Sequence, residues 1–263
     1  MKARPAVDWG ARALLLACVV GLVGAQQPKP ADGENDFNAG LTHLQEGRYQ
    51  PALESFKKAI KQDSKNAYFY KGLGLAYTQL AGVDQNHDGR AQKYKEAIAA
   101  FRKALELNPF FVDARNDLAT ALVLSGDRDA GRREYLTAYT DATNPTPEQT
   151  ALNLGQSYYE EKNYAEAINW FRTSVTRNKS YPLAYVSLAD ALLAADQTAE
   201  AIKALEDGSK ALPDNISITL ALGRAYYKAG RFGEAKEKLQ QVASKDPAGP
   251  AGRSAAELLK NIK

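Results

Sequence analysis

One cysteine, Cys18, and two histidines, His43 and His87, are all the thiol and imidazole chemistry in this 263-residue chain. A single cysteine makes no disulfide within the chain, and with two distant histidines it makes no zinc set, because such sites draw most of their ligands from Cys and His. What is left is oxygen chemistry. In Val83-Asp84-Gln85-Asn86-His87-Asp88-Gly89-Arg90 the residues Asp84, Asn86, Asp88 and Gly89 have the spacing that opens a calcium loop, where alternating oxygen side chains converge on the ion and Gly makes the turn. The closing position, a bidentate Glu in such loops, is Lys95, with Glu96 one place late. An ammonium group opposes a cation there, so a polar turn reversed by Asp-Gly is the preferred reading over a metal site at Asp84, Asn86 and Asp88. His43 occupies a position that takes a core Tyr or Leu elsewhere in the chain. Pairs of carboxylates exist in any protein that is 25% charged, and none stands out here. The sequence therefore predicts no catalytic set and no cofactor.

The formal net charge of +3 comes mostly from Lys2, Arg4 and Arg12 against Asp8; residues 26–263 carry a net charge of only +1. Without clustered cations to displace counterions, neither nucleic acid nor an anionic lipid surface is an expected partner. The amino-terminal cations precede an apolar or small run from Ala13 to Ala25, which is the layout of a signal peptide over 1–25, cut behind Val23-Gly24-Ala25. That run is shorter than the ~20 residues a bilayer span needs. Two alternatives keep the chain at a membrane: Leu15-Leu16-Ala17-Cys18 read as a lipobox with a lipidated Cys18, or an uncleaved anchor. All three readings place residues 26–263 outside the cytoplasm, periplasmic, secreted, or membrane-anchored and facing away from it. Residues 26–32, rich in Pro and polar groups, are expected to be a disordered leader. Asn178-Lys-Ser and Asn215-Ile-Ser are glycosylation acceptors only in a host that glycosylates exported proteins.

A period of 34 residues organises the rest. Segments beginning at Gly47, Lys93, Gly126, Lys162, Asp196 and Gly230 share small and large residues at helical spacing on one face. Each is preceded by a segment with its own small residue: Gly40, Gly74, Ala119, Gly155, Ala189 and Gly223. The later segments contribute Ala52/Ala59, Ala97/Ala104, Gly131/Ala138, Ala167/Ser174, Ala201/Gly208 and Ala235/Val242, so that only Ser174 and Val242 depart from Gly or Ala. Small residues at fixed places let two antiparallel helices approach closely, while Phe56, Tyr70, Leu73, Tyr77, Phe101, Tyr135, Phe171 and Leu205 fill the space beside them.

The pattern resembles the tetratricopeptide repeat family, met most fully by Leu73-Gly74, Tyr77, Ala97, Phe101, Ala104 and Pro109. The resemblance implies an all-α, right-handed α-solenoid of six helical hairpins over 33–249 (33–66, 67–111 with an insert, 112–145, 148–181, 182–215 and 216–249) and a capping helix over 250–263. Pro109, Pro213 and Pro247 are expected to end second helices. Gly131 in place of Ala should loosen the third hairpin, Val242 should make the sixth end irregularly, and the surplus of the second should lie between its helices. Thr143-Asn144-Pro145-Thr146-Pro147, with two prolines and two extra residues, should bend the array between two halves.

Stacked hairpins leave a concave surface lined by the first helix of each pair, an architecture suited to binding. The family resemblance implies a protein–protein scaffold that grips a peptide or partner protein in that groove, and export suggests an adaptor in envelope assembly, secretion or surface-complex biogenesis. The small-residue register projects Phe37, Asn38, Tyr68, Lys71, Asn116, Thr120, Asn153, Gln156, Asp190, Arg224 and Tyr227 into the groove, where amides and aromatics suit an extended chain. Some relatives clamp a terminal carboxylate between Lys and Asn; here Leu75 replaces the Asn that should follow Lys71 and Asp117 adds a negative charge, which disfavours that activity. The alternatives are a calcium-modulated or enzyme-associated module at 84–89, and self-assembly of exposed solenoid ends into a homo-oligomer.

Overall fold

A computed structural model describes residues 32–262. The expected signal peptide, its cleavage point, Cys18 and the leader as far as Ala31 lie outside the described residues. The described chain is all-α, with thirteen helices and no strand. Six pairs follow one another: α1 (Glu34–Gln45) with α2 (Tyr49–Gln62), α3 (Ala67–Val83) with α4 (His87–Leu107), α5 (Val112–Ser125) with α6 (Arg128–Thr140), α7 (Pro147–Tyr159) with α8 (Tyr164–Arg177), α9 (Pro182–Ala194) with α10 (Thr198–Ala211), and α11 (Ile216–Lys228) with α12 (Phe232–Lys245). Helix α13 (Pro250–Leu259) closes the array. No helix among the described residues is long and apolar enough to cross a membrane.

Every helix touches the next one in sequence, and each first helix also touches the first helix of the following pair. Among the described residues, no second helix brings its backbone as close to another second helix; α6 and α8, and α8 and α10, meet only through side chains, Arg177 donating to Tyr139 Oη at 3.0 Å and Arg172 to Glu200 at 2.7 Å. The layer whose members are closer together lies at the smaller radius, so the first helices form the concave side of the solenoid. Local signals set the helix ends. Asn66, Asn86, Asp127, Asn163 and Asn215 each cap a helix by accepting a backbone N–H on a side-chain oxygen. Between the helices of a pair, Gly47, Gly126 and Gly230 take positive φ (71°, 100° and 72°), and Lys162 and Asp196 adopt the same left-handed turn at 62° and 59°.

The glycine columns exist because aromatic rings press on them. A Cβ at Gly40 or Gly72 would stand 2.6 or 2.5 Å from the Phe56 ring, one at Gly74 2.6 Å from Phe101, and one at Gly155 2.7 Å from Phe171. These three rings are at most 1% exposed, so they cannot swing aside without opening a void. Apolar contact continues through the Pro-containing connection, since Ala119, Val123, Tyr135 and Leu154 from α5, α6 and α7 form one cluster. The connection itself is fastened by Asn144, whose amide donates to the Ala138 carbonyl (2.9 Å) and the Thr150 hydroxyl (3.0 Å) while its oxygen accepts from the Thr146 N–H (2.9 Å).

Three expectations need correction. Gly131 does not loosen the third hairpin: a Cβ there would meet Val123 Cγ2 at 2.6 Å and the Ala119 carbonyl at 2.7 Å, so its absence lets α6 come closer to α5 than Ala allows. Val242 does not disorder the end of the sixth hairpin, because α12 runs on to Lys245 and Val242, 1% exposed, fills the space under α13 with Leu220, Leu239 and Ala255. The surplus of the second hairpin is not a loop but added helix. Residues 67–83 and 87–107 are both helical, and only Asp84–Asn86 connects them.

Candidate functional site

The insert spends its oxygen groups on the chain itself. Asn86 Oδ1 accepts from the Asp88 and Gly89 N–H groups (2.9 and 3.2 Å) as the cap of α4. The Asp84 carboxylate takes the Asn86 N–H at 2.8 Å and the Lys93 ammonium at 2.5 Å, and the hydrogen bond from Lys93 is the main cause holding its pKa below the usual carboxylate value. Asp88 lies in the first turn of α4 with its side chain fully in solvent, beside the His87 imidazole at 3.4 Å. Asp84, Asn86 and Asp88 thus do not converge on a common point, and no group of three or more His, Cys, Asp or Glu side chains among the described residues has the geometry to hold a metal ion.

On the concave side, four of the expected groove residues come together. Lys71 of α3, Asn116 and Thr120 of α5 and Asn153 of α7 line a polar cavity of about 150 Å³, completed by Asp113, Asp117, Thr146 and Gln149. Lys71 Nζ lies 3.4 Å from Asp117 Oδ2 and 5.9 Å from the centre of the Phe111 ring. Asp117 Oδ2 and Asn116 Oδ1 are buried and accept no hydrogen bond. Burial raises the Asp117 pKa, and Lys71 pulls it back only in part. Thr120 is not free for a ligand: its hydroxyl donates to the Asn116 carbonyl (3.0 Å) or shares a proton with Tyr135 Oη (2.7 Å), whose own pKa desolvation pushes up to about 12. A second concave cavity, about 230 Å³, is lined by Asp190 and Arg224 with Val186, Leu193, Ser217, Leu220 and Ala251. Desolvation raises the Asp190 pKa, opposed by Arg224, which donates to Ser254 Oγ of α13 at 2.7 Å.

The remaining five expected residues join neither cavity. Phe37 is a correction, since it is half-buried with its ring 5.7 Å from Phe56 and 5.1 Å from Phe69, and it closes the core where no earlier hairpin covers α1. Asn38 is exposed on α1. Tyr68, 56% exposed, leans on Phe111 with centroids 4.6 Å apart. Gln156 is exposed, its amide directed to Glu160 at 3.5 Å. Tyr227 is half-buried against Phe232 at 5.6 Å. Leu75, in place of a clamp Asn, packs against the core of α4 and α5. The sequence reading missed Asp113 and Gln149 as lining groups. Both were within reach of it, because Asp113 lies three residues before Asn116 and Gln149 four before Asn153, one helical turn along the same face.

Family models for the tetratricopeptide repeat match residues 40–80, 86–147 with 117–183, and 158–217 with 192–259, and so touch every hairpin. Among similar proteins, the Hsp70-Hsp90 organizing protein 3 of Arabidopsis thaliana is 21% identical over 219 residues, 80% of this chain and 36% of that one. Lipopolysaccharide assembly protein B of Escherichia coli K12 is 23% identical over 242 residues, 86% of this chain and 58% of the relative. The chain therefore spans less than two thirds of the length of either. The crystal structure of PilW, a widely conserved type IV pilus biogenesis factor, superposes with a TM-score of 0.65 at 20% identity, covering 85% of this chain and 98% of that one. At such identity the likeness establishes the fold.

Proposed function

Because the chain belongs to the tetratricopeptide repeat family, we propose that it is a non-enzymatic adaptor that binds a protein partner in its concave groove and acts outside the cytoplasm. The observation that carries the binding site is the polar cavity between α3, α5 and α7, where first-helix side chains from three hairpins meet and buried acceptors await donors. Export is supported by the cationic, apolar and small segments of residues 1–25. A role in building envelope or surface assemblies is in keeping with relatives whose names speak of lipopolysaccharide assembly and pilus biogenesis.

Two results are expected. Protein recovered from an exporting host has the intact mass of a chain beginning at Gln26; a retained Met1 or a lipid on Cys18 contradicts that start. For the groove, the partner is first captured by cross-linking in the native envelope. The double variant Asn116→Ala, Asn153→Ala then binds it more weakly by ~2 kcal/mol or more, the scale of hot-spot contacts, while its stability changes by only about ±0.5 kcal/mol per site. Unchanged affinity in a folded variant rejects the groove.

A further inference from the structure

We infer that the concavity between α3, α5 and α7 is a socket for a cationic nitrogen of the partner, a Lys or Arg side chain or a free N-terminal amine. The inference rests on the groove reading and adds the chemistry of what enters it. Asp117 Oδ2 and Asn116 Oδ1 are both buried at the cavity without a hydrogen-bond donor. Buried acceptors are costly unless paired, so a ligand that brings N–H groups is rewarded where one that brings more oxygen is not. Lys71 meets this need only in part: its ammonium stands 3.4 Å from Oδ2, a long and weak contact, and is shared with the Phe111 ring.

The charges point the same way. Asp113 and Asp117 face the cavity against Lys71 alone, and Asp190 lines the next cavity along the groove, where Arg224 is already bonded to Ser254. An incoming carboxylate would meet two acids and a lysine that is already engaged. The volume, about 150 Å³, holds an ammonium or guanidinium group with a water or two, at ~30 Å³ for each water, and excludes a folded element.

The test uses the full-length chain and three nonapeptides of Gly and Ser. One carries three spaced Arg with both ends capped, the second carries Glu in their place, and the third is neutral with a free amino terminus. The Arg peptide is expected to shift the side-chain amide NMR signals of Asn116 and Asn153, and the Glu peptide to leave them in place. Shifts with the neutral free-amine peptide, alone or as well, identify a chain terminus as a source of the same nitrogen and also support the socket. Asp117→Asn, which keeps shape and removes charge, should weaken binding about tenfold or more, as expected for a hydrogen bond to a charged group. Its melting curve checks the fold, and the wild-type NMR shifts decide the question should that variant not fold. Equal shifts with the Arg and Glu peptides, no shift with any peptide, or unaltered affinity in folded Asp117→Asn overturns the inference. The cross-linked partner separates this failure from that of the groove: if it loses affinity for the double alanine variant but not for Asp117→Asn, the groove stands and the socket falls, whereas indifference to both rejects the two together.

Discussion

Gly155→Leu is expected to abolish cooperative folding of the hairpins around α7 and α8. Even the first added carbon has no room: a Cβ at Gly155 would be 2.7 Å from Cδ1 and Cε1 of Phe171 and 3.2 Å from Trp170 Cβ. Phe171 is 1% exposed and sits in the cluster that continues into α9, α10 and α11, so it has nowhere to retreat. Overpacking of a tight core costs ~1–3 kcal/mol for modest insertions, and Gly155→Ala should fall in that range although Ala is the better helix former. Leu adds three more carbons at the same point, and in a solenoid, where each repeat is held by its neighbours, losing one interface weakens both sides. Gly233→Ala is the control. It lies in α12 with nothing within 4 Å of its Cβ position, and the same change there should stabilise by up to ~1 kcal/mol. Urea unfolding followed by circular dichroism reads all three; a Gly155→Ala protein as stable as wild type would show that the crossing is not tight.

Arg132→Ala should cost ~2–3 kcal/mol, the largest loss expected from any polar side chain here. Arg132 belongs to α6, yet its guanidinium, only 11% exposed, serves α7: it donates to Ser157 Oγ (3.2 Å) and the Ser157 carbonyl (3.1 Å), pairs with Glu161, and lies over the Tyr158 ring at 4.1 Å. It thus fastens the two hairpins that the Thr143–Pro147 connection separates. Truncation removes all of these contacts and leaves the Ser157 carbonyl without that donor. Arg132→Lys should recover little, because a point-like ammonium cannot reach both Ser157 atoms and Glu161 from one planar fork. Thermal unfolding of the two variants tests this, and a midpoint within about 1 °C of wild type for Arg132→Ala would mean the network contributes nothing, since ~1 kcal/mol moves Tm by a few degrees in a chain of this size.

The sequence by itself determined the helices and their pairing, because both follow from local, periodic chemistry. A 3.6-residue stripe defines a helix, Asn and Asp define its start, and a small residue recurring every repeat marks where a neighbour must approach, so Gly74, Ala97, Phe101 and Ala104 could be read as one crossing from their spacing alone. The first-helix face could be read too, and it put Lys71, Asn116, Thr120 and Asn153 among the groove residues. Only the tertiary structure decided which groups on that face are free. Thr120 is bound to Tyr135 and Arg224 to Ser254 of the cap, Phe37 is turned into the core, and Asp117, which the sequence offered only as an obstacle to a carboxylate clamp, becomes the buried acceptor facing Lys71. Helical periodicity fixes the direction of a side chain around its own axis. What stands opposite depends on how far each hairpin is rotated and shifted against the next, and that is set by the fit of large residues such as Phe56 and Phe171 against glycines on neighbouring helices, a property of the assembled core.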